Sequence, residues 1–150
     1  MSLPVRDAIV EARRKLGDLS KATAQPVAML WMGLDEGGGL IEALLADPKH
    51  LGYRGAVIGA MGGGHTPERA TETVYRLAKA MPTVVAPRAG GGGPMLRHTY
   101  GGPSSEMALR KAGLIWGGRL HPVKARVLLE CCLRANLPRE TIAEVFDAYG

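Results

Sequence analysis

The sequence has little that would hold a small protein together covalently, because its only two cysteines are adjacent. Cys131 and Cys132 cannot bridge distant segments, and no metal-type spacing surrounds them. Neighbouring thiols of this kind behave as small apolar residues of a helix and favour a reducing compartment. A disulfide scaffold is therefore excluded, and the fold must be stabilised by a hydrophobic core.

Aromatic residues and long apolar runs are also scarce. Only 5% of the 150 residues are aromatic, whereas 46% are hydrophobic, so the core must consist mainly of Val, Leu, Ile, Ala and Met. No apolar run approaches 18 residues, and no charged segment precedes an apolar one near the N-terminus. We expect a soluble, cytoplasmic protein without a membrane partner.

Positive charge is in excess but is not concentrated. The formal net charge is +5, yet the sequence contains no run of five basic residues and no aromatic platform beside them. A basic balance alone is a weak indicator of nucleic-acid binding. We therefore expect a solvated surface and no nucleic-acid partner.

Short apolar runs alternate with amphipathic helical segments along the chain, which is typical of βαβ units. Four runs predict strands, at residues 26–33, 55–61, 83–86 and 114–116. The predicted fold class is α/β, a Rossmann-like three-layer sandwich with a roughly four-stranded parallel sheet flanked by helices. Residues 1–25 are expected to form an N-terminal helix and linker, and residues 26–150 the α/β domain.

Two of the predicted helices have specific expected features. Thr66 is predicted to cap the N-terminus of the helix after the second strand, with Pro67 at its first position. A later helix is predicted to begin at Pro122 and to turn one apolar stripe inward, consisting of Val123, Val127, Leu128 and Cys131. Further helices are predicted at residues 4–16 and 40–45, near 105–111 and from Pro138.

The loops that follow the strands are the expected place of function. Ligands bind outside the carboxyl ends of the strands in such sheets, and these ends are followed by residues 33–39, 59–66, 87–104 and 117–121. We call this edge of the sheet the rim. The predicted site therefore lies on the rim.

One rim loop resembles a phosphate-binding loop. Residues Gly59 to Thr66, GAMGGGHT, match the spacing G-x-x-x-x-G-K-[ST], except that His65 replaces the lysine. A small phosphate- or nucleotide-binding module is therefore the alternative function, although a mostly neutral His substitutes poorly for the lysine. Gly90 to Gly93 are a second candidate, either a phosphate nest or a mobile segment.

No catalytic machinery is visible in the residue pattern. The four histidines are not spaced as ligands within one element, and no serine lies in a G-x-S-x-G elbow. No carboxylates form an obvious acid–base pair on the rim. We expect no metal site, no cofactor and no catalytic residue in this chain.

The segment Leu120 to Leu129, LHPVKARVLL, resembles the L-x-P-x-K-A-R-x-L-L signature near the end of the L-asparaginases. Further landmarks follow the family's order: the glycine-rich turn at Gly59 to His65, VVAPR at Val84 to Arg88, and the final IAEVFDAYG. The threonine nucleophile of the family belongs to T-G-G-T and T-D-T type motifs of an N-terminal domain, and both motifs are absent here. The resemblance implies a C-terminal domain that lacks its catalytic domain.

The resemblance also implies which residues touch substrate. In the family, an Asn of the G-N-G-N turn supports the active site of a neighbouring subunit, and a later acidic residue holds the α-ammonium of a small amino-acid amide. Gly64, His65 and Glu106 occupy these places here. Gly63 and His65 replace both asparagines, and Arg119 stands where an acidic residue is usual. The implied partner is a second copy of the chain or a separate N-terminal catalytic domain.

Overall fold

The computed structural model of the chain describes residues 3–89 and 95–149. Four strands in this part of the chain form one parallel sheet in the order β1-β2-β3-β4, namely Val27–Trp31 (β1), Gly55–Ala60 (β2), Thr83–Pro87 (β3) and Ile115–Trp116 (β4). The predicted four-stranded parallel sheet is confirmed. Each strand lies within a residue or two of its predicted run.

Within the described part of the chain, seven α-helices connect and cover the strands. They are Leu3–Leu16 (α1), Gly39–Ala46 (α2), Pro48–Leu51 (α3), Thr71–Ala80 (α4), Glu106–Lys111 (α5), Pro122–Arg134 (α6) and Arg139–Asp147 (α7). The four-residue helix α3 was not predicted. No helix in the described residues has the length and apolarity that a membrane span requires.

The helices form one layer on each face of the sheet. The side chains of β2 are all buried and alternate between the layers, with Ile58 packing towards α2 and α4, and Val57 towards α6 and α7. A strand buried on both faces needs an almost continuous apolar run, as GAVIGA provides. The predicted three-layer α/β sandwich is confirmed.

The predicted start of the helix after β2 is wrong. Thr66 does not cap a helix, because its buried hydroxyl accepts no hydrogen bond from the described residues. Pro67 has extended backbone, a single 3-10 turn spans Glu68–Ala70, and α4 begins only at Thr71. The Thr66 N–H also donates to Ser104 O at 3.3 Å, so this segment packs against another loop.

The predicted inward face of α6 is wrong for Val123 and Val127, whereas Leu128 packs against the core and Cys131 is half-buried. Val123 and Val127 are 49% and 54% exposed, whereas Ala125, Leu129 and Cys132 are fully buried. Gly55 of β2 explains this orientation, since a Cβ built there would lie 3.1 Å from Leu129 Cδ2. The missing side chain lets Leu129 approach the sheet closely, so the second apolar stripe of the helix packs inward.

The corrected orientation of α6 predicts different effects for two truncations. Leu129→Ala should lower the free energy of unfolding by about 2–5 kcal/mol, because it removes a buried side chain and leaves a cavity. Val127→Ala should change it by less than about 0.5 kcal/mol, because Val127 is exposed. Urea titrations measure both values. An equal loss for the two variants would contradict this packing.

Candidate functional site on the rim

The centre of the rim is the tight turn that follows β2. Met61 and His65 form an antiparallel bridge, in which Met61 N donates to His65 O at 2.9 Å. Gly64 N and His65 N both donate to Met61 O, which closes the turn. The bridge therefore projects His65 from a fixed backbone.

Gly64 is required at its position by both backbone conformation and space. Its φ is 117°, a value that L side chains rarely adopt. A Cβ built there would lie 2.6 Å from Trp116 Cζ2 and 2.7 Å from Met95 Cε. The turn after β2 thus packs directly onto β4 and onto the segment that precedes α5.

Glu106 lies beneath this turn, at the first position of α5. Ser105 caps the helix by accepting a hydrogen bond from Ala108 N. The Glu106 side chain is completely buried, and its Oε1 accepts from Thr99 N at 2.6 Å and Tyr100 N at 2.8 Å. A buried carboxylate is stable only when hydrogen-bond donors surround it, and backbone N–H groups supply two of them here.

His65 supplies the third donor to this carboxylate. Its Nε2 lies 3.0 Å from Glu106 Oε2. An ionised carboxylate can only accept, so Nε2 carries the proton in this contact. When the ring is neutral, Nδ1 is left as an acceptor, and the structure records no hydrogen bond to Nδ1 from the described residues.

The balance of forces on Glu106 favours its charged form. Burial alone raises the pKa of this carboxyl, but the N–H groups of Tyr100, Thr99 and Glu106 itself, together with His65, outweigh burial. The pKa of Glu106 is consequently held below its usual value. At neutral pH the site contains a fixed negative charge.

His65 is the member of the pair that solvent reaches. Its side chain is 29% exposed, in contrast to the buried carboxylate behind it. The ring of Tyr100 meets it edge to face, with centroids 5.1 Å apart. A ligand that arrives from outside would therefore meet His65 first and the charge of Glu106 behind it.

The structure thus brings together the three residues that the sequence singled out, Gly64, His65 and Glu106. Their binding of a substrate is not tested by this geometry and stays a prediction. The backbone donors Thr99 and Tyr100 were not predicted, because a main-chain N–H carries no residue-type signal. The Gly90 to Gly93 candidate lies outside the described residues.

Two rim arginines, Arg88 and Arg119, lie outside the Glu106–His65 pair. Arg88 donates from its guanidinium to Met32 O and from its backbone to Ala60 O, so it ties the ends of three strands together. Arg119 is exposed in the loop after β4. Within residues 3–89 and 95–149, no group of three His, Cys, Asp or Glu side chains is placed to hold a metal ion.

The fold and the rim together define an α/β domain whose rim carries a buried, histidine-paired carboxylate. A comparison with protein-family models matches residues 27–146 to the glutaminase/asparaginase C-terminal domain. The chain belongs to this family. The resemblance predicted from the LHPVKARVLL segment is confirmed.

An added side chain should meet a steric clash at only one of the two positive-φ glycines of the rim turn. Gly62 and Gly64 both have positive φ, but only Gly64 has neighbours within the reach of a Cβ. Gly62→Ala should lower the free energy of unfolding by about 1–2 kcal/mol, from backbone strain alone.

Gly64→Ala should lower the free energy of unfolding further than Gly62→Ala, because overpacking against Trp116 and Met95 adds about 1–3 kcal/mol to the backbone strain. Thermal unfolding of the two variants measures the difference. Equal destabilisation would show that the turn does not pack against Trp116.

Proposed function

We propose that this chain is the C-terminal part of an asparaginase-like amidohydrolase, which converts L-asparagine to L-aspartate and ammonia. It contributes the rim of an active site and a subunit contact, and it is inactive alone. The observation that carries the proposal is the buried, ionised Glu106 behind the accessible His65, in a chain of this family. The two free cysteines, Cys131 and Cys132, support a cytoplasmic location.

The expected inactivity of the isolated chain follows from its side-chain contacts. Hydrolysis by covalent catalysis requires a hydroxyl or thiol beside a base. In the described residues, the side-chain partner of His65 is a carboxylate, and the buried Thr66 hydroxyl has no hydrogen-bond partner. We therefore expect the nucleophile to come from another domain.

The arrangement of the rim fits recognition of an α-ammonium group. Such a cation loses water on binding and needs acceptors and negative charge in return. In its neutral form His65 offers Nδ1, because its Nε2–H is engaged by Glu106. The Glu106 carboxylate adds its charge from behind, and Gly64 lets the turn that carries His65 pack against Trp116. Glu106 thus acts through His65 in this proposal.

The alternative phosphate-binding function gains no support from the loop geometry. A phosphate loop presents free backbone N–H groups at the start of a helix. Here the N–H groups of Gly64 and His65 are both used by Met61 O, and that of Thr66 is used by Ser104 O. The helix α4 begins five residues later, at Thr71.

Complementation with a catalytic half tests the proposal. The chain alone should release no ammonia from asparagine, and mixing it with an asparaginase N-terminal domain should restore turnover. Glu106→Gln should then lower kcat/KM for asparagine roughly tenfold or more, mainly through KM, because one charge-assisted hydrogen bond contributes about 1.5–3 kcal/mol. His65→Asn should also lower kcat/KM, because the shorter amide can replace Nδ1 as an acceptor but does not reach Glu106 to replace the hydrogen bond from Nε2.

Succinamate, which lacks the α-ammonium, separates recognition from folding. Glu106→Gln should reduce the preference for asparagine over succinamate, whereas the control Glu72→Gln, at an exposed carboxylate on α4, should leave it unchanged. Hydrolysis by the isolated chain would contradict the proposal. So would an unchanged preference in Glu106→Gln.

A further inference from the structure

A pocket of about 470 Å³ lies beside β4, at one edge of the described sheet. Residues of α5 and α7 line it, together with the consecutive residues Leu114, Ile115 and Trp116. Helix α5 packs in one helix layer through Leu109, and α7 packs in the other layer through Phe146. The pocket therefore opens across the edge of the sheet, between the two helix layers.

The most buried residues of the lining are apolar. Leu114, Ile115 and Trp116 are no more than 5% exposed, and Met107 and Ala143 also contribute to the lining. Pockets for small molecules are mostly apolar, enclose about 300–1,000 Å³ and contain a few polar groups that orient the ligand. The size and the lining of this pocket suit the apolar body of a small molecule.

The exposed part of the lining carries mainly positive charge. Arg110 and Lys111 contribute to it from α5, and Arg97 and His98 from the segment before that helix. Asp147 of α7 is the one carboxylate among the lining residues that the structure describes. Three cationic side chains thus stand against one carboxylate, which favours the binding of an anion.

The cationic side chains are positioned without being neutralised. Arg110 Nη1 donates to Arg97 O at 3.4 Å, which ties α5 to the preceding segment. Arg97 Nη2 lies 3.4 Å from Asp147 Oδ1, but both side chains of this ion pair are exposed. Water screens such a pair, so an anion can compete for Arg97. Among the described residues, Arg110 and Lys111 have no carboxylate partner.

Trp116 adds two N–H groups to this pocket lining. Its indole N–H is buried and has no hydrogen-bond partner in the described residues. Its backbone N–H points away from β3, because Gly117 N donates to Val85 O and the direction alternates along a strand. A buried N–H without an acceptor is unfavourable. An acceptor bound beside Trp116 would therefore be stabilising.

We propose that this pocket binds a small organic carboxylate with an apolar body about the size of one ring. The apolar body lies against residues 114–116. The carboxylate is bound by Arg110 and Lys111, with Arg97 completing the positive surroundings. Charge-assisted hydrogen bonds of this kind are stronger than neutral ones, and the apolar contacts select an amphipathic ligand over a bare ion.

This inference does not rest on the proposed function. Gly64, His65 and Glu106 do not line the pocket. Their ionised carboxylate favours a cation, whereas the pocket favours an anion. The failure of either proposal leaves the other standing.

Calorimetric titration of the full chain with 3-phenylpropionate tests the pocket. We expect saturable binding of one molecule per chain. The neutral 3-phenyl-1-propanol should bind at least about tenfold more weakly, because it lacks the charge. Inorganic phosphate should also bind more weakly, because it lacks the apolar body. No saturable binding, or equal affinity for the alcohol or for phosphate, would overturn the proposal.

Tryptophan emission locates the bound molecule. The chain has two tryptophans, so Trp31→Phe leaves Trp116 as the only one. Emission of that variant should change with the same concentration dependence as the calorimetric binding. Binding that leaves the emission of Trp116 unchanged would place the ligand elsewhere and contradict the proposal.

Two exposed lysines provide a matched pair of variants. Lys111→Gln should weaken binding of 3-phenylpropionate roughly threefold or more, because it removes one cation from the lining. Lys79→Gln makes the same charge change on α4, outside the lining, and should leave the affinity unchanged. Equal effects of the two variants would show an attraction to net charge alone.

Removal of the one carboxylate should act in the opposite direction. Asp147→Asn should tighten binding roughly threefold, because it removes a repulsion and releases Arg97. The control is Glu144→Gln on the same helix, where the carboxylate pairs with Lys15. It should leave the affinity unchanged. Unchanged or weaker binding by Asp147→Asn would overturn an anion site in this pocket.

Discussion

The interaction on which the rim depends is the burial of one carboxylate. Glu106 is completely buried, and its two oxygens are engaged by two backbone N–H groups and by His65. These donors come from the turn after β2 and from the segment before α5. Removing any one of them leaves a buried charge with too few partners, which is strongly unfavourable. The parts of the rim are therefore held in one arrangement together.

This constraint gives His65 its proposed role. The carboxylate holds the proton on Nε2, so the neutral form of the ring keeps Nδ1 as an acceptor. The same negative charge, kept out of water, would strengthen attraction for an ammonium group at the rim. In the proposed function, the domain supplies recognition and a partner supplies the nucleophile.

The sequence predicted the three-layer architecture better than it predicted which face of helix α6 is buried. The continuous apolar run of β2 allows few interpretations, because both faces of that strand must be buried. Helix α6 carries two apolar stripes side by side, and only the space above Gly55 decides that Leu129 packs inward rather than Val127. Thr66 was misjudged because Pro67 adopts extended backbone, so that α4 begins only at Thr71. Glu106 was identified by family resemblance, but its backbone donors lie beyond any sequence pattern.

The pH dependence of unfolding in wild type and Glu106→Gln tests this account most directly. The pKa of Glu106 is lowered in the folded state, so its contribution is complete above its unfolded value, near 4.5, and is lost as pH falls through the folded value. Near neutral pH the wild type should be more stable by about 1.5–3 kcal/mol, the contribution of a hydrogen bond to a charged group. The difference should shrink as the pH falls below about 4.5, because the unfolded chain takes up a proton there first, and native Glu106 resembles Gln only below its lower folded pKa. A difference that is independent of pH, or that grows in acid, would contradict a rim organised by an ionised Glu106.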